Sequence, residues 1–342
     1  MPKKNKQNNQ LDYISELRQD PVSGDWIVIA ILRGRRPYDL IVKKEPRQIP
    51  PKSGCPFENP QESGHKPPEL IEFSPDKKDW FLQIVENKYP AFEPENVSVQ
   101  EIKVGPYQTV HGRGYHDLLI LRDHFRSLSD YSTQEIVLML RAFQKRYEEI
   151  SQDKKIKYIS IFHNWGSAAG ASIYHPHWQI IAIPVIPPDI QHSLSGSLRY
   201  YHRHKKCVHC EMVKFELKEK KRIIFQNSGA VAFSPFVSRE PFEIRIFPKK
   251  HFPYFEETTP KLNQDIAEAL RISLKLLKTK LDDPDLNFFI HTAPTIDKKK
   301  YRHYHWHIEI FPKISVSAGF ELGTGIEITT IDPEEGAKFL KQ

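Results

Sequence analysis

Cysteine is scarce in this chain, with three among 342 residues. Three thiols cannot form the framework of bridges that holds small secreted domains, so a chain this long must rely on its own apolar cores. Long apolar runs are also missing. No stretch approaches the roughly eighteen apolar residues of a membrane-spanning helix. The first ten residues, Met1 to Gln10, are polar, do not resemble a secretory leader and read as disordered. Charge of one sign is lacking too, since 50 Lys+Arg stand against 43 Asp+Glu and leave a net charge of +7. Much of the excess sits in short runs, Lys205-Lys206, Lys220 to Arg222 and Lys298 to Lys300. Such runs read as solvated surface rather than a nucleic-acid track. These absences point to a cytoplasmic chain with neither a membrane nor a nucleic-acid partner.

What the chain does have is a repeated row of histidines. His175-Pro176-His177-Trp178-Gln179 is echoed by His303-Tyr304-His305-Trp306-His307, and each row runs into an apolar strand ending at a proline, Pro184 or Pro312. Alternate residues of a strand share a face. Each row therefore presents imidazoles, or imidazoles and an amide, on one side of a sheet. The echo extends upstream. His163 and His291 each lie twelve residues before their row, and His124 and His251 lie 51 and 52 before. A helix follows in each copy. The first has a capping box, Ser132 with Glu135, and an apolar stripe of Ile136, Leu140, Phe143 and Tyr147. The second opens with Thr259-Pro260 and carries Ile266, Leu270, Leu274 and Leu277. The expected architecture is α+β, two tandem copies of an antiparallel sheet with a packed helix. Residues 40 to 100 read as a long decorated loop, and Pro184 to Ser197 as the linker between copies. That places the domains at 1–194 and 195–342.

The cysteines fall where metal ligands would be expected. Cys207 and Cys210 form a Cys-x-x-Cys pair heading the second copy, and His251 and His303 complete a four-ligand set. A redox pair is less apt, because thioredoxin-type motifs open a helix after a strand. In the first copy Cys55 has Glu58 at the matching position. With His124 and His175 it makes a Cys-Glu-His-His set. Closed sets of four read as structural Zn2+ sites. Iron is an alternative at the second.

If His175 holds metal, His177 stands one strand repeat further along the same face. A neutral imidazole is a competent nucleophile, and a backbone carbonyl can fix its tautomer. Gln179, again on that face, can donate an amide N–H to a phosphoryl oxygen. Upstream, the small-residue loop from Asn164 to Ser172, with Gly166 and Gly170, lets backbone N–H groups and the Ser172 hydroxyl approach phosphate.

The segment Asn164 to Gln179, with Gly166, Gly170, Ser172 and His-Pro-His-x-Gln, resembles the galactose-1-phosphate uridylyltransferase family, the transferase branch of the histidine-triad superfamily. The resemblance covers nearly the whole chain. Asp20 to Val28 with Arg33 and Arg36-Pro37 looks like the family's opening motif, and Asn87 to Ala91 like its nucleoside-contacting stretch. Phe311-Pro312 with Gly319-Phe320-Glu321 looks like its close. The resemblance implies two histidine-triad-like domains and ping-pong chemistry through a nucleotidyl-His177. A nucleotide diphosphate sugar would be the donor, and a sugar 1-phosphate or phosphate the acceptor. Gln179, Ser172, Arg33 and Arg36 would hold phosphoryl oxygens, and Asn87 and Asn164 would place the nucleotide. Phe320 and Glu321 would contact substrate across a homodimer.

The leading expectation is UMP transfer between hexose 1-phosphates. Some departures point elsewhere in the family. Lys88 replaces an acidic residue, and Glu321 to Glu327 holds a Gly-Thr-Gly instead of the family's lysine and glutamine. Lys88 bears on ribose recognition, whereas the Gly-Thr-Gly and the Cys207/Cys210 pair look more like a relative that moves adenylyl groups from ADP-glucose to phosphate, features also found in divergent members of the uridylyl branch. Two readings of other kinds remain. His305, in the fuller triad, would be the nucleophile of a hydrolase. Alternatively, the chain would be a zinc-stabilised nucleotide-binding module without chemistry.

Overall fold

The computed structural model describes residues 15–35, 47, 49–74, 78–94 and 101–342. Residues 1–10 and Arg36 lie outside the described residues. The first half contains β1 (Glu16–Gln19), β2 (Trp26–Ile29), β3 (Leu70–Phe73), β4 (Trp80–Glu86), β5 (Glu101–Val104), β6 (Tyr107–Val110), β7 (Tyr115–Leu121), α1 (Thr133–Ile150), β8 (Tyr158–Trp165) and β9 (His177–Ile183). Then come α2 (Pro188–His204), α3 (Val208–Glu219), β10 (Ile223–Gln226), β11 (Ala230–Phe233), β12 (Ile244–Pro248), α4 (Pro260–Lys280), β13 (Leu286–His291), β14 (His307–Pro312), α5 (Gly319–Thr324), β15 (Ile328–Thr329) and α6 (Pro333–Lys341).

The two halves share one sheet. Among the described residues its ten strands run β10-β11-β12-β14-β13-β8-β9-β7-β4-β3. The seam is the antiparallel pair β8 and β13, with Phe288 opposite His163 and Ile290 opposite Ile161. Outward from the seam the order is β8, β9, β7, β4, β3 on one side and β13, β14, β12, β11, β10 on the other. This is the repeat expected from the sequence, arranged as a pseudo-twofold.

Both repeat helices cover one face of that sheet. Ser132 accepts from the Glu135 N–H at 3.2 Å, and Thr259 accepts from the Leu262 N–H at 3.3 Å. The expected stripes of α1 and α4 are buried in one core with Trp178, Ile180, Trp306, Ile308 and Ile310. The opposite face carries Leu118 and Ile120 under Phe57, and it also carries His177 and Gln179. The alternation of Leu118 to Leu121 thus divides between two clusters, as a strand covered on both sides requires.

Two features differ from the expectation. The segment read as a decorated loop includes β3 and β4, and the β4 run Phe81, Leu82, Ile84 and Val85 is buried. The segment read as a linker is the helix α2, so the boundary placed between 194 and 195 falls inside it. Its small residues are there for close approach rather than flexibility. A Cβ on Gly196 would collide with the Val22 carbonyl oxygen. The separate sheet β1-β2-β15 sits on the second half. It is held there by the Arg18–Asp332 ion pair at 2.9 Å and by Ile27 and Ile29 against Val237. No described helix is long and apolar enough to cross a membrane.

Because the halves share hydrogen-bonded strands, urea unfolding should follow one transition for both. Ile161→Ala at the seam should lower stability by about 2–5 kcal/mol without splitting it. Two separated transitions would contradict a shared sheet.

Candidate active site

The His177 ring is oriented by its own strand. Its Nδ1 lies 2.8 Å from the His175 carbonyl oxygen. A carbonyl can only accept, so Nδ1 carries the proton and Nε2 keeps its lone pair. Burial lowers the His177 pKa, opposed by that same hydrogen bond, so the ring is neutral at pH 7. His163 reinforces the strand from the helix side. Its Nδ1–H donates to the His177 carbonyl at 2.7 Å, and its ring stacks on Trp178 with centroids 4.2 Å apart. Burial pushes His163 down to about 3. Trp178 faces the core, as its position between His177 and Gln179 predicts.

Gln179 pairs with Phe162 across β8, so Asn164, two residues on, shares the His177 face. Its side-chain oxygen accepts from Asn287 Nδ2 at 2.9 Å, and that nitrogen also donates to the Ala169 carbonyl at 2.8 Å. The small-residue loop is thus tied down by the second half. Gly166 is left-handed, with φ 86°, and a Cβ there would strike the Asp285 carboxylate. The loop's amides are more committed than expected. Ala168 N–H donates to Asp285, Ala169 and Ala171 to the Gly166 carbonyl, and Gly170 to the Ser167 carbonyl. A phosphate would meet the exposed Ser172 and the carboxamides rather than a row of free loop amides. Asn87 follows β4 and stands 3.1 Å from His116, which in turn contacts Gln179 at 2.9 Å. His116 lacked any repeat or motif to single it out, and its role comes only from the pairing of β7 with β9.

Three members of the first set, Cys55, His124 and His175, converge beside this row, while Glu58 stands against the two imidazoles and outside the mutually close group. Cys55 Sγ is 3.6 Å from His175 Nδ1, His124 Nδ1 is 3.2 Å from the same atom, and Glu58 Oε1 is 3.1 Å from His124 Nδ1. His124 Nε2 faces the Pro50 carbonyl at 2.9 Å, and His175 Nε2 faces the Leu121 carbonyl. A neutral imidazole has one proton, which those carbonyls engage. The two Nδ1 lone pairs therefore point at each other, an arrangement that is repulsive unless a cation lies between them. Glu58 Oε1 is buried without a hydrogen bond, while Arg122 holds Oε2 at 3.0 Å. Burial pushes His175 down to about 4, which keeps its lone pair free.

The second set requires a correction. The convergent group is Cys207, Cys210, His251 and His305, with His303 outside it. Cys210 Sγ lies 3.3 Å from His251 Nδ1 and 3.5 Å from His305 Nδ1. His303 instead points its Nε2 to the Leu194 carbonyl at 3.3 Å. The reason is register. His307 Nδ1 lies 3.1 Å from the His305 carbonyl, repeating the His177–His175 bond. The structural repeat therefore equates His305 with His175, His307 with His177, and Glu309 with Gln179. It lies two residues beyond the match of letters. A two-residue slip keeps every side chain on its face, so alternation could not reveal it. The pair does open a helix, since Cys207 is the N-cap of α3, but it follows α2 rather than a strand. The Cys207 thiol is held far below its ordinary value, first by Cys210 and then, against burial, by His209, His251 and His305.

In the second copy, Glu309 stands beside His307 at the position that Gln179 holds beside His177. Its carboxylate lies 3.0 Å from Arg245 Nε, 3.1 Å from His291 Nε2 and 3.5 Å from His307 Nε2. Burial would raise the carboxyl, but Arg245 and His291 outweigh it and hold it well below the usual range. His291, His307 and Glu309 also lie close enough to share an ion, although the Arg245 guanidinium already balances the carboxylate. His291 and His163 point to opposite faces, so their equal spacing from the rows is not a structural correspondence. Arg33, Phe320 and Glu321 lie with the β1-β2-β15 sheet, and no described contact brings them to His177. A cavity of about 460 Å3 lined by Val208, Met212, Phe215 and Phe236 belongs to the second half and includes none of the His177 site.

A neutral imidazole with a bare Nε2 beside a glutamine amide, on a duplicated α+β sheet with Cys/His groups, defines the class as a histidine-triad-like fold. Comparison with known proteins agrees. A family described as a domain of unknown function, DUF4921, matches residues 74–340. ADP-glucose phosphorylase of Arabidopsis thaliana is 35% identical over 331 residues, covering 96% of this chain and 92% of that protein. Galactose-1-phosphate uridylyltransferase of Thermotoga maritima is 27% identical, covering 96% and 98%. A crystal structure of the Arabidopsis thaliana ADP-glucose phosphorylase with bound ADP-glucose superposes with a TM-score of 0.81 at 32% identity, covering 96% of this chain and 99% of that one. The chain belongs to the galactose-1-phosphate uridylyltransferase family of nucleotidyltransferases, which includes the ADP-glucose phosphorylases.

Metal analysis of the purified chain should find an ion at each of the two cysteine groups. Cys55→Ala should lose one and His305→Ala the other, whereas His303→Ala should retain both. Loss of metal in His303→Ala with retention in His305→Ala would overturn the two-residue offset of the second row.

Proposed function

We propose that the protein transfers a nucleoside monophosphate through a covalent adduct on His177. The observation that carries this reading is the His177–His175 hydrogen bond, which leaves Nε2 bare on a neutral, buried ring. In the first half-reaction Nε2 bonds to the α-phosphorus of a nucleotide diphosphate hexose. The bond from that phosphorus to the bridging oxygen breaks, and hexose 1-phosphate leaves with the electron pair. Positive charge gained by the ring is shared through Nδ1–H with the His175 carbonyl. Gln179 and Ser172 would donate to the phosphoryl oxygens, and Asn87 and Asn164 would hold the nucleotide. An oxygen of phosphate, or of a second hexose 1-phosphate, then attacks phosphorus, and the P–N bond breaks.

For the donor, ADP-glucose with phosphate as acceptor has the stronger support, from the 35% identity to ADP-glucose phosphorylase. The second reading is UMP exchange between hexose 1-phosphates, supported by the near-complete coverage of the Thermotoga maritima uridylyltransferase. Zn2+ suits both cysteine sets, because His175 Nδ1 lies 3.6 Å from Cys55 Sγ and 3.2 Å from His124 Nδ1, and Cys210 Sγ lies 3.3 Å from His251 Nδ1 and 3.5 Å from His305 Nδ1, separations near those of donors around one ion with bonds of about 2.0–2.3 Å. Cys55, Glu58, His124 and His175 would hold one ion, and Cys207, Cys210, His251 and His305 the other. Zn2+ there would supply structural anchoring of the loops to the histidine strands. The placement of Arg33, Phe320 and Glu321 beside the separate β1-β2-β15 sheet supports a homodimer in which they serve the partner's site. A cytoplasmic setting would keep the thiols reduced.

Mixing the protein with ADP-glucose, and separately with UDP-glucose, should add one nucleoside monophosphate to its intact mass. His177→Ala should add none. Absence of any adduct with either donor would sink this reading.

Adduct formation should also persist as pH falls. Burial holds the His177 pKa below 6.5, so the ring stays neutral where a free imidazole protonates. The acid limb of the rate should therefore have its midpoint below 6.5, and a midpoint at or above that value would contradict it.

A further inference from the structure

We propose that His116 is a positioning residue that sets the direction of the Gln179 carboxamide, so that its NH2 rather than its oxygen is available to the phosphoryl group. This inference rests on the nucleotidyl-transfer reading above and deepens it. Oxygen and nitrogen of a glutamine side chain have nearly the same size, and nothing in an isolated carboxamide prefers one orientation. Only a fixed donor or acceptor can decide.

That fixed group is the Ala91 backbone N–H, 3.1 Å from His116 Nδ1. A backbone N–H can only donate, so Nδ1 is bare. His116 is buried on β7, with 7% of its surface exposed, and a neutral ring must then carry its proton on Nε2. Nε2 lies 2.9 Å from Gln179 Oε1, and its N–H donates there. The carboxamide is thus held with oxygen toward His116, and both amide protons remain for substrate.

The same imidazole is tied to the other candidate nucleotide contact. The Asn87 backbone N–H donates to the His116 carbonyl at 2.8 Å, and Asn87 Oδ1 accepts from the Tyr89 N–H at 3.0 Å. Asn87 Nδ2 therefore faces His116 Nε2 at 3.1 Å. Two N–H groups cannot bond to each other, so Asn87 does not compete with Gln179 Oε1 for the Nε2 proton. One backbone donor, acting through one ring, orders the amide on β9 beside the nucleophile.

Two substitutions separate the ring's two nitrogens. His116→Gln keeps a donor at the Nε2 place. His116→Asn keeps only an acceptor at the Nδ1 place. Single-turnover formation of the His177 adduct should fall about 10–100-fold in His116→Asn, part of the loss expected when such a donor is removed outright. The apparent donor affinity and melting temperature should stay close to wild type. His116→Gln should stay within about threefold of wild type, a loss under 1 kcal/mol on the transition-state scale. In a Gln179→Ala background, His116→Asn should add no further loss. Equal rates in the two His116 variants, or full additivity with Gln179→Ala, would overturn the assignment while leaving the wild-type adduct intact. Absence of the adduct from wild type itself would instead sink the transfer reading. Nitrogen-15 NMR of the His116 ring gives a test that needs no turnover: the Nε2–H tautomer is expected, and the Nδ1–H tautomer would overturn the proposal.

Discussion

The antiparallel pairing of β8 with β13 is the constraint on which the rest of the molecule depends, because it turns two similar halves into one sheet with two usable faces. One face is covered by α1 and α4 and filled with Trp178, Trp306 and the isoleucines that alternate with the histidines. The other face is thereby free to carry imidazoles, an amide and thiols. The seam also lets the second half serve the first. Asn287 and Asp285 hold the loop next to His177, so the candidate site depends on both halves.

The chemistry of that face follows from which nitrogen of each ring bears the proton. His175 donates from Nε2 to Leu121, which turns its Nδ1 toward Cys55, Glu58 and His124. His177, two residues on, donates from Nδ1 to His175, which turns its Nε2 outward. Neighbouring rings on one strand thus take opposite tautomers, one apt for an ion and one for phosphorus. Burial supports both, since it lowers each pKa and keeps the lone pairs available. The second half repeats the backbone geometry but not the chemistry. Glu309 in place of Gln179 brings a negative charge to the spot, which Arg245 neutralises at 3.0 Å and beside which His291 Nε2 stands at 3.1 Å. A phosphoryl group would meet a carboxylate there, which argues against a second nucleophilic centre at His307.

Much of this organisation was legible in the chain itself. The capping boxes, the helix stripes and the strand alternation are local signals, written over a few residues, and each lies where its pattern placed it. His177 and Gln179 share a face because one strand periodicity governs them; Asn164 joins them through the pairing of β8 with β9, and Cys55 and His124 reach His175 from outside the strands. The errors have one kind of cause. Gly196 looked like a linker residue, yet it sits in α2 where the Val22 backbone leaves no room for a Cβ. His303 looked like the counterpart of His175, yet the strand is offset by two residues and His305 takes that place. Both depend on partners distant in the chain.

The sequence by itself determined the duplicated α+β architecture and the alternation that puts His177 and Gln179 on one face, because periodicity and motif spacing are properties of neighbours along the chain. Only the tertiary structure decided the register of the second histidine row, which histidine joins Cys207, Cys210 and His251, and the contact between His116 and Gln179. Register is chosen by the sum of cross-strand contacts. A tautomer is chosen by whichever backbone group stands opposite the ring, and neither choice leaves a mark in local sequence.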